Sequence, residues 1–203
     1  RVHSSAGDTD TNSELGSSWM PVGKPLDQFQ YQCRHGMGYT VISGQKDGIQ
    51  TATRYFVPLG ETLEIWQTTI TSTRETAATL SLFPLVEFCL WDAWDDQTNF
   101  QRNFSTGEVE VEGSAIYHVT EYRERRNHYA IFGVNAPVAG YDTDREQFVG
   151  LYNGLHEPEA VVAGSPRNSI ASGWAPIGTH CLEVALEPGE SRDFVVVLGY
   201  VEN

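Results

Sequence analysis

The sequence predicts an all-β domain, a large antiparallel β-sandwich, and three observations carry that expectation. Short runs rich in β-branched and aromatic residues follow one another at intervals of about 8–15 residues. Turn pairs such as Asp47-Gly48 and Pro188-Gly189 stand between them, where glycine supplies the backbone angles a tight turn needs. Helical periodicity is scarce. About ten such strands suit a sandwich, and 203 residues are enough for one large domain with a real core.

The elements follow in order. The first 18 residues are small and polar, so residues 1–18 are expected to be a poorly ordered or partial N-terminal segment and residues 19–203 the sandwich. Gly38 to Ile42 leads to the turn at Lys46-Asp47-Gly48, and Ile49 to Val57 returns. Thr62 to Ser72 is dense in β-branched residues, which fit a pleated, half-buried surface. Ala78 to Phe88 is apolar but interrupted by Pro84, which points to an edge, a bulge or a bend. Glu108 to Val111, Ala115 to Tyr122 and Tyr129 to Asn135 follow as strands, then Gln147 to Tyr152 and Glu159 to Val162. Leu182, Val184 and Leu186 alternate with polar or small residues. Phe194 to Val201 is almost continuously apolar, as in a strand buried on both faces. The chain starts without Met and stops directly after that strand, so it is expected to be a piece of a longer chain.

Composition narrows the partners. Thirteen basic against 27 acidic residues give a formal charge of −14. Nucleic acid is excluded as an expected partner, because phosphate contacts need clustered Lys and Arg. A neutral, polar ligand such as a sugar is compatible with that charge, although solubility alone accounts for it. Cys33, Cys89 and Cys181 are odd in number and form no CxxC, which suggests reduced thiols in a cytoplasmic protein. No apolar run reaches the roughly 20 residues that cross a bilayer, so no membrane partner is expected. Asn103-Phe104-Ser105 matches the glycosylation pattern, but no secretory signal accompanies it.

The densest chemistry lies in FCLWDAWDDQTNFQRNFS, Phe88 to Ser105. Trp91 and Trp94 beside Asp92, Asp95 and Asp96 suit a carbohydrate platform, an aromatic face with carboxylates to accept hydroxyl hydrogens. They equally suit tryptophans plugging the core edge above a solvated loop. Oxygen ligands from the three aspartates lack the spacing of a calcium loop, so no metal is expected. Gln101, Arg102 and Asn103 are multi-donor side chains between two phenylalanines, fit for vicinal hydroxyls or anions. A polar turn held by its own backbone bonds is the alternative. Arg123, Arg125 and Arg126 can hold phosphate or pair with nearby acids. His118, His128, His156 and His180 show no zinc spacing, and no G-x-S-x-G elbow is present.

Several long motifs in a fixed order are distinctive. YQCRHGMGYTVISGQKDGIQTATRYFVPLGETLEIW, EFCLWDAWDDQTNFQRNFSTGEVEVEG, IYHVTEYRERRNHYA, DTDREQFVGLYNG, PRNSIASGWAPIGTH and FVVVLGYVEN together resemble the N-terminal β-sandwich region of bacterial cellobiose phosphorylases. These are inverting glycoside phosphorylases of glycoside hydrolase family 94. The resemblance runs from about Trp19 to Asn203 and implies a galactose-mutarotase-like super-sandwich. In that family an (α/α)6 barrel follows and carries the catalytic aspartate, so the resemblance puts no catalytic acid in this segment. It implies phosphorolysis of cellobiose to α-glucose 1-phosphate and glucose, with inorganic phosphate as co-substrate and no cofactor. It also implies a homodimer in which the sandwich serves the interface and sends a loop to the acceptor-sugar side of an active site. Gln101, Arg102 and Asn103 match that loop, with Arg102 foremost; Trp91, Asp95 and Asp96 shape it. Two alternatives stay open: a non-catalytic carbohydrate-binding or interaction module, and a related phosphorylase for another β-linked glucan.

Overall fold

Asp47 and Gly48 occupy the expected turn, with φ of 50° and 74°, between β4 (Tyr39–Lys46) and β5 (Ile49–Phe56). Two left-handed residues in succession give this turn a twist that matches its strands. The Arg74 side chain closes over it, its Nε donating to the Asp47 carbonyl at 2.7 Å. A Cβ on Gly48 would fall 2.7 Å from Arg74 Cγ, so the position needs glycine twice over.

The computed structural model describes residues 2–4, 17–22, 30–88, 107–120, 128–173 and 175–202. Among them, an eight-stranded sheet runs in the order β3 (Gln30–Gly36), β4, β5, β6 (Leu63–Ser72), β14 (Ser191–Glu202), β11 (His128–Val134), β10 (Ala115–Thr120), β9 (Gly107–Glu112). Every pairing is antiparallel, and the last strand lies between β6 and β11. A smaller sheet orders β12 (Gly140–Asp144), β13 (Pro176–Leu186), β7 (Ala78–Leu82), β1 (Val2–Ser4), β2 (Ser17–Trp19), with β8 (Leu85–Glu87) also on β13. Pro84 marks the expected break. β7 pairs with Leu182 to Leu186 and β8 with Ile177 to Thr179, and Phe83-Pro84 lies between the two pairings.

The two sheets bury one core. Alternate residues of the small sheet (Leu80, Leu82, Leu182, Val184, Leu186) meet alternate residues of the large one (Ile49, Ile70, Ile116, Phe132, Val196) in a single cluster. Strand alternation decides which side chains enter it. β14 contributes Phe194, Val196 and Leu198. The expectation of burial on both faces therefore holds for one face of that strand among the described residues.

Two segments expected as strands are helical turns. Gln147 to Tyr152 contains the end of α1 (Arg145–Val149), and Glu159 to Val162 lies in α2 (Glu159–Ala163). End signals outweigh the short apolar runs here. The Asp144 carboxylate accepts from the backbone N–H groups of Glu146 and Gln147, at 2.9 and 3.2 Å, and so caps α1. Pro158 opens α2, and Gly164 at φ 68° closes it. The two helices bury Phe148, Val149, Ala160 and Val161 against Phe83, Ile177 and Cys181 in a second cluster.

Candidate functional site

Strand register brings the described residues that border the chemistry-bearing parts of the sequence to one end of the sandwich. Gly107 lies opposite Thr120, and Glu202 opposite His128. Tyr39 opposite Phe56 and Gly199 opposite Leu63 put the β3–β4 and β5–β6 turns at the same end. Residues 89–106 and 121–127 are bounded here by Phe88, Gly107, Thr120 and His128. Trp91, Trp94, Asp92, Asp95, Asp96, Gln101, Arg102, Asn103, Arg123, Arg125 and Arg126 lie outside the described residues. Only the frame that bounds them is described.

That frame is an aromatic stack in the core. The Phe88 ring lies on His118 with centroids 4.8 Å apart and planes within 8°. Phe132 lies on His180 in the same way, at 5.6 Å and 4°. Gly178 separates the two stacks, and a Cβ there would stand 3.0 Å from Phe88 and 3.1 Å from Phe132. A side chain at 178 would crowd both rings, so their close approach favours glycine there. Trp66 meets Phe132 edge-on and Tyr55 meets Trp66 likewise, both at 5.7 Å. The Trp66 Nε1–H donates to Glu64 Oε1 at 2.7 Å. Arg145 pairs with Glu87 at 2.6 Å in a half-exposed contact, which braces β8 from the helical side.

The electrostatics of the frame are those of a support. Burial drives the His180 pKa below its ordinary value, opposed in part by the Phe132 carbonyl 3.4 Å from Nε2. Its Nδ1 is buried without a partner, which favours the neutral ring. Burial likewise pushes the Cys181 thiol up to about 11 and the Tyr55 phenol to about 12. None of these groups is tuned toward proton transfer near neutral pH. By spacing alone His118 and His180 are scattered histidines. The alternation of Ile116 with His118, and of Gly178 with His180, was the signal that both face the core.

Two familiar motifs join as a structural knot. Asp142, fully buried, accepts from the backbone N–H of Arg167 at 3.1 Å. It also accepts from the Ser169 N–H at 2.9 Å and the Ser169 hydroxyl at 2.6 Å. The Asn168 side-chain oxygen accepts from the Tyr141 N–H, and Arg167 reaches Glu159 at 2.6 Å and Gln147 at 3.2 Å. DTDREQ and PRNSIAS are thus bound together on the small sheet. A carboxylate with three donors aimed at it positions backbone and is committed to that task.

At the opposite end, the outward surface of β3 to β6 forms an open cleft of about 450 Å³. Gln32, Gln45, Gln50, Thr69 and Thr71 line it, without a charged group among its described lining.

The family profile described as "Glycosyl hydrolase 94, supersandwich domain" matches residues 7–203. An N,N'-diacetylchitobiose phosphorylase of Vibrio proteolyticus is 32% identical over 193 residues, covering 95% of this chain and 24% of that protein. A solabiose phosphorylase of Paenibacillus borealis is 27% identical over 195 residues, with 95% and 25% covered. The chain thus spans about a quarter of the length of these curated relatives. A bacterial glucoamylase crystallised with acarbose shares the fold at a TM-score of 0.51 and 10% identity, over 87% of this chain and 24% of that one.

Proposed function

Because the chain belongs to the glycosyl hydrolase 94 family as its supersandwich domain, we propose that it is the N-terminal domain of an inverting disaccharide phosphorylase. Cellobiose is the substrate this reading puts first. A phosphate oxygen attacks the anomeric carbon from the face opposite the leaving sugar, and the glycosidic C–O bond breaks. An aspartic acid gives its proton to the leaving oxygen, so α-glucose 1-phosphate and glucose result. That acid belongs to the remainder of the polypeptide, and no residue of this chain is assigned to it. The domain serves a homodimer interface and supplies Arg102, with Gln101 and Asn103, to the acceptor sugar. Trp91, Asp95 and Asp96 shape their loop. Inorganic phosphate is the co-substrate, no cofactor takes part, and the setting is cytoplasmic.

The family match over residues 7–203 carries this reading. The names of the relatives favour a second one within the same class, a phosphorylase for another β-linked disaccharide. A third has its own observation: the uncharged cleft of amides and hydroxyls suits a binding module for neutral glycans. Calorimetry of this chain with cellobiose and cellodextrins separates it from the others. Tight binding by the chain alone supports the module, and its absence supports the phosphorylase. Incubating the parent polypeptide with phosphate and either cellobiose or N,N'-diacetylchitobiose decides between the first two, by which sugar 1-phosphate accumulates.

A further inference from the structure

The β3–β4 hairpin carries side-chain chemistry that the sandwich does not use. Strand alternation puts Tyr31, Cys33 and His35 on one face of β3. Register identifies that face. His35 lies opposite Thr40, Thr40 opposite Tyr55, Tyr55 opposite Trp66, and Trp66 opposite Val196, which is buried in the core. The three side chains are therefore on the core-facing side of the large sheet. Yet among the described residues none of β3 or β4 belongs to either core cluster. This edge of the large sheet overhangs the small one, so His35 is exposed and Cys33 only half-buried. A two-residue turn at Met37-Gly38, with Gly38 at φ 81°, pins the pairing.

The three side chains converge on one sulfur. His35 Nε2 stands 3.6 Å from Cys33 Sγ, and His35 Nδ1 stands 3.0 Å from the Thr40 hydroxyl on the neighbouring strand. With Nδ1–H donating to Thr40, the Nε2 lone pair faces the thiol S–H. From the other side the Tyr31 phenol hydrogen-bonds the same sulfur; desolvation first, and then Cys33, raise its pKa. A thiol, a base beside it and a third group that orients the base make the arrangement of an activated nucleophile. Inert cysteines are buried in apolar surroundings, as Cys181 is. Cys33 lies at a sheet edge among polar groups instead.

We propose that Cys33 is a nucleophilic thiol that reacts with small-molecule disulfides, with His35 as its base and Thr40 as the residue that positions the base. The inference is independent of the phosphorylase reading. His35 Nε2 takes the thiol proton, and the Cys33 sulfur attacks one sulfur of the disulfide. The S–S bond breaks, and a mixed disulfide forms on Cys33. The departing thiolate takes the proton from His35 and leaves as a thiol. Cys33 is oxidised as the reagent is reduced, so no further oxidant is needed. Exchange of this kind needs thiolate and access to the sulfur, and the half-exposed dyad supplies both.

Glutathione disulfide at pH 7 tests the site on the native protein, with the mixed disulfide at each cysteine quantified by peptide mass spectrometry. An ordinary thiol is only about 3% thiolate at pH 7, so activation is worth at most about 30-fold. Cys33 is expected to react about tenfold faster in the folded protein than in urea, and Cys181 more slowly folded than unfolded. His35→Asn should remove most of that tenfold, and Thr40→Val part of it. The described titratable groups nearest the pair are Tyr31 on β3, Tyr55 on β5 and Glu64 on β6. Tyr31, with its raised pKa, and Tyr55, pushed up to about 12, keep their protons at pH 9.5. At that pH a thiol ionises without a base, so the native and His35→Asn rates should converge; a merely structural role would leave them apart. Equal folded and unfolded rates at Cys33, or protection of Cys33 in the native protein, overturn the proposal. So does an unchanged rate in folded His35→Asn or, should that variant not fold, in Thr40→Val.

Discussion

Truncating Phe88 is the sharpest test of the frame. Its ring is 7% exposed, lies flat on His118 at 4.8 Å and fills the space that Gly178 leaves. Phe88→Ala removes a nearly fully buried aromatic side chain, worth about 2–3 kcal/mol of transfer. The lost stacking adds about 0.5–1.5 kcal/mol, and the sum of about 2.5–4.5 kcal/mol overlaps typical buried Phe→Ala costs. In a domain of this size that lowers the thermal midpoint by about 5–18 °C. Urea unfolding of Phe88→Ala, His118→Ala and the double variant measures the loss and the coupling, expected at about 0.5–1.5 kcal/mol. A cost below about 1 kcal/mol, or no coupling, would refute the claim that the stack anchors the strand end where residues 89–106 begin.

Four further outcomes follow from the same structure. His180 has a lowered folded-state pKa, so its stabilising neutral form is complete above the unfolded value of about 6.5 and is lost as pH falls toward the folded value. The urea midpoint should fall from pH 7 to pH 5, and His180→Gln should flatten that slope. Cys181, with its thiol pushed up to about 11 by burial, should resist a thiol reagent at pH 8 in the folded chain and react once urea unfolds it. Asp142→Ala leaves the Arg167 and Ser169 donors without their acceptor and should cost about 3 kcal/mol or more by urea unfolding. On the proposed phosphorylase reading, Arg102→Ala in the parent polypeptide should weaken acceptor glucose use more than glucose 1-phosphate use in the synthetic direction; equal loss of both points to a structural role.

Much of the sandwich was legible because strand alternation and turn chemistry are local. Asp47-Gly48, the β-branched run of β6 and the proline break before β8 can each be read within a few residues. The helices were misread because five-residue apolar runs fit either period. The Asp144 cap and the glycines at 150 and 164 were the decisive marks. The partition into sheets was not legible, because alternation shows that a strand has an inside face without naming what covers it. For the same reason the run Phe194 to Val201 implied burial on two faces, and only one lies against described structure. The pairing of Asp142 with PRNSIAS spans 25 to 27 residues and has no local signature. The residues expected to touch sugar came from motif resemblance, and the structure describes only their frame.

The central claim is that this chain is the support domain of a phosphorylase whose catalytic acid lies in the rest of the polypeptide. The most direct measurement is phosphorus NMR of cellobiose plus phosphate incubated with the parent polypeptide and, separately, with these 203 residues. The account predicts α-glucose 1-phosphate from the parent and none from the chain alone. Sugar phosphate formed by the 203-residue chain, or no sugar phosphate from the parent with any β-linked disaccharide, would contradict it.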